Sequence, residues 1–210
     1  MERKSSAHYQ RLHRDRLRQK GLVKKEVWIL PEYGDELVAV EKRMRQPRGA
    51  MGAPPARSEK ESGMSEAKMW TAAALYEALA ATEQFRSGES QVELIEGAEP
   101  SLHVVMSEYG DLPLFVAVVG EQIVVEAMLW PVAQVYDSAA FNELVLHAHK
   151  LFPLSTIGIE TLADGEAVYI MFGALSAASS LSNVLFEIET LSDNVIKATE
   201  AYETHLREAA

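Results

Sequence analysis

Opposite charges divide this chain into two parts. Residues 1–63 hold 15 Lys and Arg against 9 Asp and Glu, a net charge of +6, whereas residues 64–210 hold 5 against 22, a net charge of −17. Such asymmetry is typical of two modules with different partners. A basic module suits an anion such as nucleic acid or an acidic membrane surface, and an acidic body binds neither by charge alone.

The composition excludes several kinds of site and of protein. The chain has no cysteine, so disulfides, thiolate zinc sites and cysteine nucleophiles are excluded. Its charged start leads into no apolar segment typical of a secretory signal. The longest apolar stretch, residues 112–119, contains Pro113 and is too short to span a bilayer. We therefore expect a cytoplasmic protein without integral membrane association.

Residues 1–46 predict a small basic helix–strand–helix module. A helix follows Ser5 or Ser6 and ends near Gly21, where a C′ glycine belongs. Residues 23–30 (VKKEVWIL) predict a short strand, and Pro31 suits the first turn of the next helix. A lone strand with open edges needs a partner strand, so we expect a homodimer. The dimer interface would include the strand's apolar residues Val27, Trp28 and Ile29.

A flexible linker is predicted over residues 47–64, which are rich in Pro, Gly, Ala and charge. Residues 65–210 then predict an acidic domain. It begins with a helix over about residues 66–84, capped by Ser65, followed by strands near 91–96, 102–108, 113–119 and 122–130. A helix near 138–151, strands near 156–161 and 166–173, and a final helix near 181–207 complete it. This order, α-β-β-β-β-α-β-β-α, predicts an α+β fold with an antiparallel sheet flanked by helices.

The basic residues of the first module form the candidate functional site. Dense Arg and Lys neutralise phosphates and release counterions, so nucleic acid is one ligand, anionic lipid a second, and a plain solvated helix face the third alternative. The candidate anion-binding residues are Arg11, Arg14, Arg16, Arg18, Lys20, Lys24 and Lys25. On the last helix, Phe186 and Ile196 fall partly off the main apolar stripe, which indicates a dimer or partner interface or, equally, burial within the monomer.

No residue pattern predicts catalysis. His147 and His149 are two apart on a helix and point in different directions, so they cannot chelate one metal ion together. The sequence contains no phosphate-binding glycine loop and no Gly-x-Ser-x-Gly frame. We therefore expect a non-enzymatic protein with no catalytic residues, no metal site and no cofactor.

Two resemblances add to these predictions. The element order over residues 66–207 resembles the type III secretion chaperone-like fold, which CesT-like chaperones and YbjN-type regulators share. Residues 6–14 (SAHYQRLHR), residues 21–28 (GLVKKEVW) and the domain from residue 64 onward resemble an uncharacterised bacterial family. Genes of that family often lie beside genes for phage-shock protein A-like membrane-remodelling proteins. The resemblance implies a link to envelope stress or secretion, with a phage-shock protein A-like protein as a partner.

The apolar-Pro-acidic step at Leu30, Pro31 and Glu32 also resembles antitoxin-type regulators of the ribbon-helix-helix class, in which paired strands enter the DNA major groove. This chain differs from that class in having a helix before the strand. Three hypotheses follow. The protein is a regulator or adaptor with a protein-binding domain and a DNA-binding arm. It is a secretion-type chaperone whose basic arm contacts an acidic protein or an anionic membrane. Or the acidic domain masks the basic module of its own chain.

Overall fold

The structure, a computed structural model, describes residues 5–25, 27, 37, 40–41, 43–45 and 69–207. The chain forms two compact units, one comprising Met1–Arg16 with Ala67–Ala210 and the other comprising Leu17–Glu66. The predicted boundaries after residues 46 and 64 fall outside the described residues, so they stay predictions.

A six-stranded, fully antiparallel sheet organises the first unit, with strand order β1-β2-β3-β4-β6-β5. The strands are β1 (Ser90–Ile95), β2 (Ser101–Met106), β3 (Leu112–Val119), β4 (Gln122–Pro131), β5 (Thr156–Thr161) and β6 (Ala167–Ser176). Gly120 and Gly165 take positive φ angles in the turns between β3 and β4 and between β5 and β6, as tight hairpins require. The predicted α+β class and the predicted order of the six strands are confirmed.

Five helices accompany the sheet in the described part of the first unit: α1 (Ser6–Gln19), α2 (Ala72–Ala80), α3 (Glu83–Arg86), α4 (Ser138–Ala148) and α5 (Leu181–Ala201). Side-chain oxygens of Thr71, Asp137 and Ser180 cap α2, α4 and α5 by accepting backbone N–H groups. The single helix predicted over residues 66–84 is wrong, because α2 starts at Ala72 and the chain breaks at Ala81 and Thr82 before α3.

The last helix is shorter than predicted. It ends at Ala201 instead of continuing to residue 207, and a 3-10 turn follows. Leu206 then forms an antiparallel bridge with Val135, and the Arg207 N–H donates to the Gln134 carbonyl at 2.8 Å. These backbone bonds tie the end of the domain to the segment before α4, which a continued helix would prevent.

The core lies between one face of the sheet and the helices. Alternate residues of β2, β3 and β4 point into it, as the period of two requires. They meet Leu75 and Leu79 of α2 and the apolar stripe of α5. At one end of the core, Trp130 packs edge-on against Phe141 of α4 at a centroid distance of 6.1 Å. A register shift in β4 between Met128 and Trp130 turns both Leu129 and Trp130 into the core.

Helix α1 ends as the sequence predicts. The Gly21 N–H donates to the Arg18 carbonyl and the Leu22 N–H donates to the Leu17 carbonyl, with Gly21 at φ +75°. This pair of bonds is the Schellman motif, for which glycine is favoured.

In the second unit, the predicted strand over residues 23–30 is not observed among its described residues. Residues 23–25 and Val27 have no regular secondary structure, and the remainder of that segment lies outside the described residues. Leu37, Val40 and Glu41 are helical, as the sequence predicts after Pro31, and Glu41 pairs with Arg45 at 2.6 Å.

Candidate interaction surface

Helix α1 packs against the domain mainly through polar side chains. Its buried residues are Ser6, Gln10 and His13, spaced three or four apart along one face. Tyr9 packs beside them at the edge of the core. A helix packed on a core usually presents an apolar stripe, so the buried face of α1 is unusually polar.

The segment Ser107–Asp111, between β2 and β3, forms one half of the surface that receives α1. Arg16 donates from Nη1 to the Ser107 carbonyl oxygen, and its Nη2 lies 2.6 Å from Asp111 Oδ2. His13 Nδ1 lies 2.5 Å from the Glu108 carbonyl oxygen. Hydrogen bonds that involve an ionised group are stronger than neutral ones, so Arg16 anchors this end of the contact.

Helix α5 forms the other half of the surface. The Gln10 amide lies over the α5 backbone; with its oxygen turned toward donors, that oxygen accepts from the Glu200 N–H at 3.2 Å and from Arg14 Nη2 at 3.1 Å. Arg14 Nη2 also lies 3.3 Å from Glu200 Oε1. Ile196, one turn before Glu200, is half-buried beneath this contact. We call Ser107–Asp111 together with Ile196 and Glu200 the docking surface.

The close approach of α1 depends on Gly110. A Cβ atom there would lie 2.4 Å from the Tyr9 carbonyl oxygen, 2.8 Å from Leu12 Cβ and 2.9 Å from the His13 nitrogen. Gly110 also has φ +81°, which L residues rarely adopt. Two independent requirements, conformation and space, therefore favour glycine at the centre of the docking surface.

Tyr109 connects the docking surface to α5. Its ring stacks on the His13 imidazole with centroids 5.3 Å apart and planes 10° apart. Burial raises the pKa of Tyr109 far above its ordinary value, and the charge of Asp193, a hydrogen bond to Asp193 and the nearby Glu189 add to the effect. The phenol therefore stays neutral, because burial and the nearby carboxylates disfavour its ionised form.

The predicted anion-binding residues fall into two groups. Arg14 and Arg16 are held by carboxylates and carbonyl groups of the docking surface. The remaining five are solvent-exposed: Arg11, Arg18, Lys20, Lys24 and Lys25. Anion binding by any of them stays a prediction, but the contacts of Arg14 and Arg16 agree with the hypothesis that the acidic domain masks part of the basic module.

The predicted interface residues are also divided. Val27 and Phe186 are 59% and 60% exposed. Ile196 is half-buried, and its backbone carbonyl lies beside the Gln10 amide in the docking surface. Trp28 and Ile29 lie outside the described residues. Dimerisation through any of these residues stays a prediction.

Sequence reasoning missed most of the docking surface. It interpreted Glu108–Asp111 as a turn between strands and gave no role to Glu200. The available signal was weak. One stripe of α5 carries residues at helical spacing that are mostly acidic, namely Glu189, Asp193, Ile196 and Glu200. Such an acidic stripe is ordinary on a solvated helix, and only the packing of α1 distinguishes it.

A buried carboxyl group lies elsewhere on α5. Glu187 is only 4% exposed, and its Oε1 has no hydrogen-bond partner in the structure. Oε1 occupies the space beside Gly173 of β6, 1.7 Å from where a Cβ would lie. Burial raises the pKa of Glu187 because an uncompensated charge is unfavourable there.

Among the described residues, no group of three or more His, Asp or Glu side chains is arranged to hold a metal ion. A search of the same part of the chain found no helix both long and apolar enough to cross a membrane.

Comparison with known proteins places the domain in a family. Residues 69–206 match the model of a family described as "Uncharacterized protein conserved in bacteria (DUF2170)". The chain belongs to this bacterial family. The matched range contains the whole sheet and all of α5, including the domain's part of the docking surface, whereas α1 precedes it. The resemblance to an uncharacterised bacterial family is thus confirmed, while the gene neighbourhood and the ribbon-helix-helix likeness stay predictions.

The chain is also similar to individual proteins. The uncharacterized protein YjfI of Escherichia coli (strain K12) is 35% identical over 111 residues, which is 53% of this chain and 83% of that protein. The crystal structure of YbjN from E. coli is similar over 57% of this chain and 87% of that chain, with 14% identity and a TM-score of 0.39. An uncharacterized protein from Methanothermobacter thermautotrophicus is similar over 63% and 99%, with 9% identity and a TM-score of 0.45.

Proposed function

We propose that this chain is a non-enzymatic bacterial adaptor whose acidic domain binds a partner protein. One observation carries the proposal: the domain already holds a polypeptide helix, α1, on a surface of carbonyl oxygens, carboxylates and a tyrosine ring. Such a mixture of backbone and charged side-chain contacts is typical of protein recognition. The adaptor would act in the cytoplasm and, as the sequence resemblance implies, in the response to envelope stress.

The first partner to test is a phage-shock protein A-like protein, the partner that the sequence resemblance implies. Calorimetry with both purified full-length proteins should give a saturable heat with a dissociation constant of about 1 μM or lower, a value typical of specific signalling contacts. Phe186→Glu, at an exposed apolar site on α5, should weaken binding if that face is used, and Leu146→Glu on α4 is a matched exposed control. The absence of heat at any concentration reached would reject this partner.

We propose DNA binding by the basic arm as a second function, because five of its cations are exposed. Full-length protein should bind duplex DNA with an affinity that falls as salt rises, and each lost phosphate contact should reduce the log–log salt slope by about 0.9. Lys24→Ala with Lys25→Ala should lower that slope, whereas Lys150→Ala, on the acidic domain, should not. Retention that does not depend on salt would contradict DNA binding by charge, and stronger binding to anionic vesicles would favour the chaperone-like alternative.

We also propose that the protein is a homodimer. The exposed Val27 and Phe186 support this, since large exposed apolar side chains often mark interfaces. Light scattering across a hundredfold range of concentration, with Val27→Glu and Phe186→Glu as variants, tests the idea. A constant monomer mass for the wild-type protein would refute it.

A further inference from the structure

The contact between α1 and the docking surface is built to be reversible. The fully buried residues of α1 are polar and Tyr9 packs at the edge of the core, so docking depends less than ordinary helix packing on the burial of apolar area, which is the main driving force of stable packing. The two arginine ion pairs are each about one-third or more exposed, and exposed pairs of this kind contribute little to stability. Docking therefore rests on hydrogen bonds and charges that another ligand can replace.

The domain side of the contact is specialised for a helix. Gly110 brings the α1 backbone closer than any side chain would permit, and the Ser107 and Glu108 carbonyl oxygens point at donors on α1. The Tyr109 ring provides a flat platform on which the His13 imidazole stacks. These features recognise a backbone and a charge pattern, and none of them depends on α1 belonging to the same chain.

We propose that the docking surface is a receptor for a basic amphipathic helix of a partner protein and that α1 is its built-in competitor. The inference rests on the proposed adaptor function and names the kind of partner that the domain binds. The partner helix carries an amide, a stacking ring and two arginines at the positions that Gln10, His13, Arg14 and Arg16 occupy in α1. Charge complementarity supports this choice, because Asp111 and Glu200 face the arginines and Glu108, Glu189 and Asp193 surround Tyr109.

Occupation by α1 lowers the apparent affinity for the partner helix. A ligand that binds only the open state has its affinity reduced by the fraction of molecules that are open. Variants that weaken α1 without altering the domain should therefore bind the partner helix more tightly. Arg14→Ala with Arg16→Ala is such a variant, since both side chains belong to the competitor and the receptor residues stay intact.

The experiment uses a fluorescent peptide with the sequence of residues 5–20 and the full-length chain. The wild-type peptide should bind the R14A/R16A chain at least about tenfold more tightly than the wild-type chain, because the competitor is weakened. Adding D111R to the R14A/R16A chain should weaken the binding of the wild-type peptide and strengthen the binding of a peptide that carries R16E. A scrambled peptide of the same composition is the control for general charge attraction.

Three outcomes would overturn the inference. The wild-type peptide fails to bind the R14A/R16A chain, or it binds equally with and without D111R, or the scrambled peptide binds as tightly as the wild-type peptide.

The mass of the chain in solution tests another occupant. A doubled mass of the wild-type chain that falls to one copy in R14A/R16A would assign the docking surface to α1 of a second copy instead of a partner. If the peptide fails while a partner protein still binds the D111R chain, the adaptor function stands and only its assignment to this surface fails.

Discussion

Gly110→Ala should release α1 from the domain, and Gly88→Ala is its matched control. The two glycines have nearly the same conformation, with φ +81° and +83°. A Cβ at Gly88 would meet nothing within 4 Å, whereas one at Gly110 would collide with α1. Any difference between the two variants therefore reports the contact with α1 and not the strained backbone.

The size of the effect follows from the distances. In both variants the free energy of unfolding should fall by about 1–2 kcal/mol, because an L side chain is disfavoured at positive φ. At Gly110, the Tyr9 carbonyl oxygen is 2.4 Å from the new Cβ, and ordinary contact begins at 3.4 Å, so the helix backbone must move by 1.0 Å. Such a shift breaks hydrogen bonds of His13 and Arg16, which are worth about 1 kcal/mol when neutral and about 1.5–3 kcal/mol when charged. We expect α1 docking to weaken by about 2–4 kcal/mol, or about thirtyfold to a thousandfold.

Hydrogen exchange of the backbone amides of residues 6–16 measures this directly. An undocked helix of 14 residues is marginal in water, so its amides should exchange quickly in Gly110→Ala and slowly in Gly88→Ala. The amides of β3 and β4 should stay protected in both variants. Equal protection of α1 in the two variants would refute the packing described for Gly110.

Three further predictions concern the core. Glu187→Gln should stabilise the protein by about 1 kcal/mol at neutral pH by removing a buried unpartnered charge. Burial raises the folded-state pKa of Glu187, so the stability of the wild-type protein rises as pH falls through that pKa toward the ordinary value of 4.5, and the advantage of the variant should disappear over that pH range. Urea unfolding measured against pH tests this. An identical gain from Glu99→Gln, at an exposed position, would contradict burial as the cause. Gly173→Ala should lower the free energy of unfolding by about 1–3 kcal/mol, because the new Cβ would collide with the Glu187 side chain. An equal loss in a Glu187→Ala background would show that the two side chains do not collide. Tyr169→Phe should lose about 1 kcal/mol in thermal unfolding, since its hydroxyl donates to Asn142 Oδ1 at 2.6 Å, and an unchanged Tm would argue against that bond.

The sheet was predictable because its signals are local. Alternation of apolar residues and the turns at Gly120 and Gly165 define four of the strands without reference to the rest of the chain. The start of α2 was not predictable, since residues 66–80 are helix-forming throughout. The helix begins at Ala72 where Thr71 caps it, and the preceding Trp70 is tied to the segment after β6 by hydrogen bonds to Ala177 and Ser179.

The docking surface was not predictable from local pattern. It combines a turn and a helix that lie about ninety residues apart with a helix from the start of the chain. Charge counting led to the masking hypothesis, and Arg14 and Arg16 do contact acidic residues of the domain. It could not indicate which arginines are held, because Arg11 and Arg14 look alike in sequence and differ only in the direction that the docked helix gives them.

The polar character of the buried face of α1 determines which conditions move the helix. Exposure of apolar surface raises heat capacity and exposure of polar surface lowers it. The release of α1 exposes the polar residues Ser6, Gln10 and His13 together with Tyr9 at the edge of the core, so the two contributions to the heat capacity oppose each other and the balance between docked and released helix varies only gently with temperature. Salt weakens exposed ion pairs such as those of Arg14 and Arg16. The docked state of α1 therefore depends on the ionic composition around the protein.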